Sequence, residues 1–317
     1  MNDNPLEVGL NPSPYTQALF DGSIRPKNVD MNLRWRFGEG LDNVGARHRA
    51  IIAGEVDGGE LSISSFILAR LRKLPLRALP VFLSRRFRLR CMYTRADSPL
   101  KNPSELAGRS ATVHRYNATT PVWLKGILEN YFGVKPQEIH WYVAEPDIAE
   151  ESLRPPPPEV KVSLIDPPRT REHAVELVEQ GAIDAALEPY QLHDNPGIRY
   201  LMRDFHQAEK DFFRRTGAYS LNHLFVLREE VAARNPGIVG ALYDALNKSN
   251  AVADRYRDEK QKREAAWERE VMGEDFIYSL HEGCARRSVE TLMEYQVQQG
   301  ILDRKLAIQD LFFPEFL

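Results

Sequence analysis

The 317-residue chain predicts an α/β protein of two lobes with a helical C-terminal region. Three observations carry that expectation. Short strand-like and helix-like segments alternate from Leu6 to Leu187, as open α/β sheets require. A fresh strand-and-helix unit begins near residue 97, and from residue 198 helical patterns dominate. At about 150 residues per domain, the length suits two lobes.

The first unit reads in order as follows. Leu6 to Leu10 is a short apolar strand, and Asn11-Pro12-Ser13-Pro14 is a turn with helix-start chemistry. A short helix through Phe20 ends at Asp21-Gly22. Met31 to Phe37 alternates apolar and polar side chains, the period of a half-buried strand. Residues 41–53 are helical, and Gly58-Gly59 leads into the strand Glu60-Leu61-Ser62-Ile63. Ser64-Ser65 caps a helix through Leu74. Leu76 to Phe82 and Leu89 to Thr94 are further strands.

In the second unit, Pro103 to Arg109 forms one helical turn with a Gly stop and feeds the strand Ser110 to Val113. After the loop His114 to Ala118, a helix starts at Thr119 or Thr120 and stops at Gly133, with Pro121 tolerated in its first turn. Strands follow at Glu138 to Val143, Val160 to Ile165 and Asp184 to Leu187, with a helix from Arg169 to Gln180. The proline-rich stretch around Pro155 to Pro158 and Pro167-Pro168 reads as an extended surface loop. In the last third, Leu221 to Arg228 is a strand among helices at 204–215, 229–233, 236–256, 258–271 and 286–299. Asp254 to Arg269 mixes both charge signs, as a solvated helix face does.

Composition narrows the function. The chain holds 42 Lys+Arg against 45 Asp+Glu, a net charge of −3, which gives no general pull toward nucleic acid. Two cysteines, Cys91 and Cys284, are too few for a disulfide framework or a four-Cys zinc site. No HExxH or other close ligand spacing occurs among the eight histidines, so no metal is indicated. No apolar run approaches the roughly 20 residues of a membrane span. The polar, acidic first residues lack a secretory pattern, so the expected location is the cytoplasm. Gly38-Glu39-Gly40 is too short for a phosphate loop.

Several segments together resemble one family. Glu105-Leu106-Ala107-Gly108-Arg109 before a strand and a Thr-capped helix, with Gly181-Ala182-Ile183-Asp184-Ala185 later, resembles the second lobe of type II periplasmic-binding-protein-like folds. Within that superfamily the chain resembles the 4,5-dihydroxyphthalate decarboxylase family. The carrying residues include Asp21-Gly22, Leu61-Ser62-Ile63-Ser64-Ser65-Phe66, Pro80-Val81-Phe82, Ser84-Arg85 and Phe87-Arg88. They continue through Tyr116, Thr119, Trp123, Gly126, Tyr131-Phe132-Gly133-Val134, Ile139-His140-Trp141, Thr216-Gly217, His223 and Met272-Gly273-Glu274-Asp275-Phe276. The resemblance implies a discontinuous first lobe (1–95 and 200–317), a second lobe (96–199), and a ligand cleft between them. It also implies a cofactor-independent lyase of aromatic compound catabolism, with a small hydroxylated aromatic carboxylate as substrate. No nucleic acid or membrane partner is implied, and homo-oligomerisation is left open. Departures cluster in expected cleft loops: Pro12-Ser13-Pro14-Tyr15, Leu89, His114-Arg115-Tyr116-Asn117-Ala118 and Leu280 to Arg286. The scaffold resemblance is therefore stronger than the substrate resemblance.

Arene decarboxylation needs a proton donor near the carbon that bears the carboxylate, and donors for any second carboxylate. Arg85 and Arg88 are the anion-binding candidates, since a guanidinium forks onto a carboxylate; a surface basic run is the plainer reading. Ser64, Ser65, Thr119 and Thr120 stand at strand-to-helix junctions, where free N–H groups favour an anion, although simple capping explains them too. His223, inside an apolar strand and at a family position, and His114, at a strand end, are the catalytic candidates, against structural roles for each. Glu188 follows a strand and suits a phenolic proton; Tyr190 suits ring packing; Tyr116 and Asn117 suit orientation of a polar aromatic. His140 reads as core, and Cys284 as a bland thiol. The rival reading is a solute-binding protein that closes on a small anionic or aromatic ligand without chemistry. A third is an isomerase or hydrolase with His114 or His223 as base.

Overall fold

The computed structural model describes residues 5–37, 43–145, 155–165, 171–188, 195–273, 280 and 283–317, with backbone alone at 171 and 172. The chain divides into two α/β units. One comprises 1–85, 221–287 and 306–317, the other 86–220 and 288–305.

The first unit is built on a five-stranded sheet of order β2-β1-β3-β11-β4, formed by β1 (Leu6–Gly9), β2 (Met31–Arg34), β3 (Gly58–Ser62), β4 (Leu76–Arg85) and β11 (Leu221–Arg228). β1, β2 and β3 run parallel, and β11 runs antiparallel to both β3 and β4. Alternate residues bury one face: Leu6, Val8 and Leu10, Leu79, Val81 and Leu83, and Phe225 and Leu227 pack with Ile238, Val239, Leu242 and Leu246 of α8 (Ile238–Ala251). α1 (Gln17–Phe20) follows β1, α2 (Asn43–Ala53) adjoins β1 and β3, α3 (Ile63–Leu71) leaves β3 directly, and α7 (Glu229–Arg234) and α9 (Glu259–Met272) flank α8 in sequence. Gly59 is indispensable to this spacing. Its φ is +149°, and a Cβ there would lie 2.1 Å from the Gly9 carbonyl oxygen of β1.

The second unit has a six-stranded sheet of order β10-β5-β9-β6-β7-β8. Its strands are β5 (Met92–Arg95), β6 (Ser110–Val113), β7 (His140–Val143), β8 (Val162–Leu164), β9 (Ala185–Leu187) and β10 (Ile198–Tyr200). β6, β7, β8 and β9 are parallel; β5 runs opposite to β9 and to β10. α4 (Thr119–Phe132) follows β6, and α5 (Arg171–Glu179) precedes β9. α5 supplies Ala174, Val175 and Val178 to a core shared with Tyr93, Ile183, Ala186 and Ile198. Residues of α10 (Cys284–Gln298) from Ser288 onward belong to this unit, and its Tyr295 ring meets Trp123 of α4 edge-on at 5.6 Å.

Several expectations need adjusting. The boundaries expected at 95 and 200 lie at 85 and 220, because β5 and β10 pair inside the second sheet, and α6 (Phe205–Thr216) docks on the turn before β5. The strand expected at Leu89 to Thr94 starts only at Met92; Leu89–Cys91 is a 3-10 turn. Arg88 precedes this turn and Arg90 lies within it, so neither is on a strand. Pro136–Glu138 is likewise a 3-10 turn ahead of β7, and the helix expected over 236–256 ends at Ala251. β10 had no clear signal, being only three residues long.

Candidate functional site

In the first unit the register builds an acid–base cluster. His223 of β11 lies opposite Ser62, and Phe225 lies opposite Glu60, so Glu60 and His223 are diagonal neighbours on one sheet face. Their side chains meet, with His223 Nδ1 2.7 Å from Glu60 Oε1. The backbone N–H of Asn11, just past β1, donates to Glu60 Oε2 at 3.2 Å. Arg47 of α2, fully buried, places Nη2 3.5 Å from Glu60 Oε2, and its Nε–H donates to the Glu60 carbonyl at 3.4 Å. The ring of His48 approaches that of His223 edge-on at 5.1 Å. Burial alone would push the Glu60 carboxyl up; the Arg47 charge and the His223 contact outweigh it and hold it at about 2. Glu60 is thus a fixed anion. With Nδ1 committed to it, the His223 side chain, 16% exposed, has Nε2 left for chemistry.

Ser64 and Ser65 lie in the first turn of α3, beside this cluster in sequence, and are fully buried. The cap is Ser62, whose Oγ accepts from the Ser65 N–H at 3.5 Å. Arg85 ends β4 and stays in this unit: it stacks over the Tyr15 ring at 4.1 Å and donates to Asn250 Oδ1 at 2.8 Å and to the Phe82 carbonyl.

The second unit carries the other candidates, two of which meet at the carboxyl ends of neighbouring strands. β6 and β9 are parallel neighbours, so the residues that follow them, His114 and Glu188, come together: His114 Nδ1 is 3.6 Å from Glu188 Oε2, both buried. Arg115, buried, reaches Glu145 after β7 at 3.8 Å. Asn117, Thr119 and Thr120 are buried where α4 begins, with Ala118 in the capping position. Tyr116 packs edge-on to Trp141 at 6.0 Å. Its ring and carbonyl hold the buried Lys125 ammonium, at 3.2 Å from the ring centroid and 2.8 Å from the oxygen. Arg88 is buried in this unit, with Nη1 3.9 Å from Cys91 Sγ. The basic run is therefore divided. Arg85 and Arg88 stand in different units, and Arg90 forks onto the buried Glu209 with a closest approach of 2.8 Å. His140, half-buried, shares a 2.9 Å hydrogen bond with Ser163, a structural placement. Cys284 is buried. Tyr190, His281 and Glu282 lie outside the described residues, as do Glu274, Asp275 and Phe276 of the matching segment.

Sequence reasoning missed Glu60, Arg47 and His48. The available signal was a glutamate inside a strand introduced by two glycines, a place where burial demands a partner. Among the described residues no group of three or more His, Cys, Asp or Glu is placed to hold a metal ion.

No family model matches the chain. The sequence is 31% identical over 339 aligned positions to 4,5-dihydroxyphthalate decarboxylase of Comamonas testosteroni, covering 100% of this chain and 98% of that protein. It is 28% identical over 222 positions to the 4,5-dihydroxyphthalate decarboxylase of Pseudomonas putida, covering 68% of this chain and 83% of that protein. Among solved structures, the periplasmic aliphatic sulphonate binding protein SsuA of Escherichia coli superposes with a TM-score of 0.56 at 12% identity, covering 98% of this chain and 92% of that one, so the fold is that of the periplasmic binding proteins. A full-length match above 30% identity, on this fold, places the chain in the 4,5-dihydroxyphthalate decarboxylase family.

Proposed function

We propose that the protein is a carboxy-lyase of aromatic compound catabolism that removes one carboxylate, as carbon dioxide, from a 4,5-dihydroxyphthalate-like hydroxylated aromatic acid without a cofactor. The observation that carries this reading is the Glu60–His223 pair, an imidazole whose Nδ1 is anchored 2.7 Å from a permanent carboxylate. Family membership supports the reaction class.

The chemistry asks for one proton at one carbon. A ring hydroxyl ortho or para to the leaving carboxylate pushes electrons into the ring. His223 in its imidazolium form gives its Nε2 proton to the carbon that bears the carboxylate. The bond to the carboxylate carbon then breaks, its electron pair restores aromaticity, and carbon dioxide leaves. The neutral imidazole regains a proton from water. Glu60 anchors the ring through Nδ1, and Arg47 keeps Glu60 ionised throughout.

The test is turnover by the full chain on a panel of hydroxylated benzoates and phthalates, with dissolved carbon dioxide followed beside substrate loss. His223→Gln is expected to lower kcat by about 100-fold or more, the usual contribution of a positioned general acid. Absence of gas from every hydroxylated acid would reject the reading. Saturable binding without gas would favour a solute-binding role on the same fold.

A further inference from the structure

Arg88 presents a problem the rest of the fold does not answer. It is 3% exposed, yet among the described residues no carboxylate comes within ion-pair distance of it. Among the described residues its side-chain polar contact is Nη1 to Cys91 Sγ at 3.9 Å, a weak acceptor, and Nε has no hydrogen-bond partner. Burial disfavours its charged form, Cys91 partly offsets this, and Arg86 adds a second positive charge. Arg47 and Arg90, equally buried, each hold a glutamate. A buried guanidinium without a counter-ion is costly, so a fold that keeps one is short of an anion.

The place of Arg88 shows where that anion would lie. The Cys91 N–H donates to the Arg88 carbonyl at 2.9 Å, and the Cys91 carbonyl accepts the Glu188 N–H at 3.0 Å. Met92 pairs with Leu187 in the register of β5 and β9. The turn that bears Arg88 therefore lies beside the carboxyl end of β9, where Glu188 follows. Glu188 lies 3.6 Å from His114 and outside ion-pair distance of Arg88.

We infer that Arg88 is an anion receptor of the second unit and takes a carboxylate of a small aromatic acid on its guanidinium fork. The choice of ligand class rests on the lyase reading, whose substrate class carries carboxylates, and deepens it by naming a residue that would hold one. The fork matches a carboxylate through two parallel hydrogen bonds, which a lysine ammonium cannot reproduce.

The experiment uses the full chain and phthalate, a dicarboxylate without the ring hydroxyls that decarboxylation needs, so that binding is read without turnover. Phthalate affinity is measured by calorimetry in wild type, Arg88→Met and Arg88→Lys, beside the melting temperature of each without ligand. Arg88→Met is expected to weaken phthalate by about 30-fold or more, as loss of one partner of a desolvated charge pair does. Arg88→Lys should fall in between. Both variants should melt at or above wild type, because a methionine or a more flexible cation relieves an uncompensated buried guanidinium. Unchanged phthalate affinity in the variants, no phthalate binding by wild type, or failure of both variants to fold would overturn the inference, the last by making Arg88 a core residue. Carbon dioxide release by wild type is scored separately. Its absence alongside Arg88-dependent binding rejects the lyase reading and leaves the receptor standing; gas release with Arg88-independent phthalate binding does the reverse.

Discussion

Glu60 is a carboxylate set into a fully buried strand and held by donors from three other segments: His223 at 2.7 Å, the Asn11 N–H at 3.2 Å and Arg47 at 3.5 Å. Glu60→Gln keeps the shape and removes the charge. Arg47 would then be buried against a neutral amide, a loss of about 3–5 kcal/mol in chemical denaturation. The pH dependence has a definite sign. The folded carboxyl sits at about 2 against an ordinary 4.5, so its stabilisation is complete above pH 4.5 and disappears as pH falls through 2. That window is worth about 3 kcal/mol in wild type. Denaturation at stepped pH should show a shallower acid slope for Glu60→Gln; an equal slope would mean that other carboxylates carry the acid sensitivity. The sequence made His223 visible because a lone polar ring in an apolar strand asks for a reason. It could not show Glu60 as the partner, since 163 residues separate the two and only the antiparallel β3–β11 register joins them. His114 and Glu188 were each noticed at a strand end, but their pairing depends on β6 and β9 being neighbours, which no local pattern encodes.

Elements place these residues through a few tight contacts. Gly59 brings β3 so close to β1 that Gly59→Ala would set a methyl 2.1 Å from the Gly9 oxygen, in a φ region alanine avoids. The expected result is a loss of at least 2 kcal/mol together with lyase activity, because Glu60 is the next residue along the displaced strand. Normal activity with a normal melting temperature would show that β1 and β3 can separate without moving Glu60. The 3-10 turn Leu89–Cys91 performs a different task. It aims Arg90 at Glu209 of α6, whose carboxylate accepts from the Arg90 side chain and from its backbone N–H at 3.1 Å. Arg90→Met should cost about 3–5 kcal/mol in urea by stranding Glu209, and Arg90→Met with Glu209→Met should recover much of it. Equal losses in the single and double variants would mean the pair itself, not the stranded charge, matters. Strand and helix periodicity located β11 and α4 and overran the end of α8. It failed at this turn because three apolar and basic residues before a strand look like more strand until α6 is there to bind them.

Each unit of the molecule is assembled from separate chain segments, so distant ends of the sequence close each one. The last twelve residues, 306–317, belong to the first unit. Phe313 N–H donates to the Ala78 carbonyl of β4 at 3.1 Å, Arg77 donates to the Gln309 and Phe312 carbonyls at 2.8 and 2.9 Å, and Arg70 Nε donates to the Asp310 carbonyl at 2.8 Å. Ile308, Leu311, Phe312 and Phe313 are buried. At roughly 1.5–3 kcal/mol per fully buried apolar side chain, this segment stabilises its unit by several kcal/mol. The second unit draws instead on 288–305, where Tyr295 closes against Gly126 and Trp123 of α4, and Gln299 Nε2 donates to the Val122 carbonyl at 2.9 Å. A chain ending at residue 305 removes only the first unit's closure. Hydrogen exchange should then show β4 and β11 amides losing protection while β6, β7 and β9 amides keep theirs. Equal loss in both sheets would show that the two units unfold as one cooperative block, and that the stability of the Glu60–His223 pair is set by the whole chain rather than by the sheet that bears it.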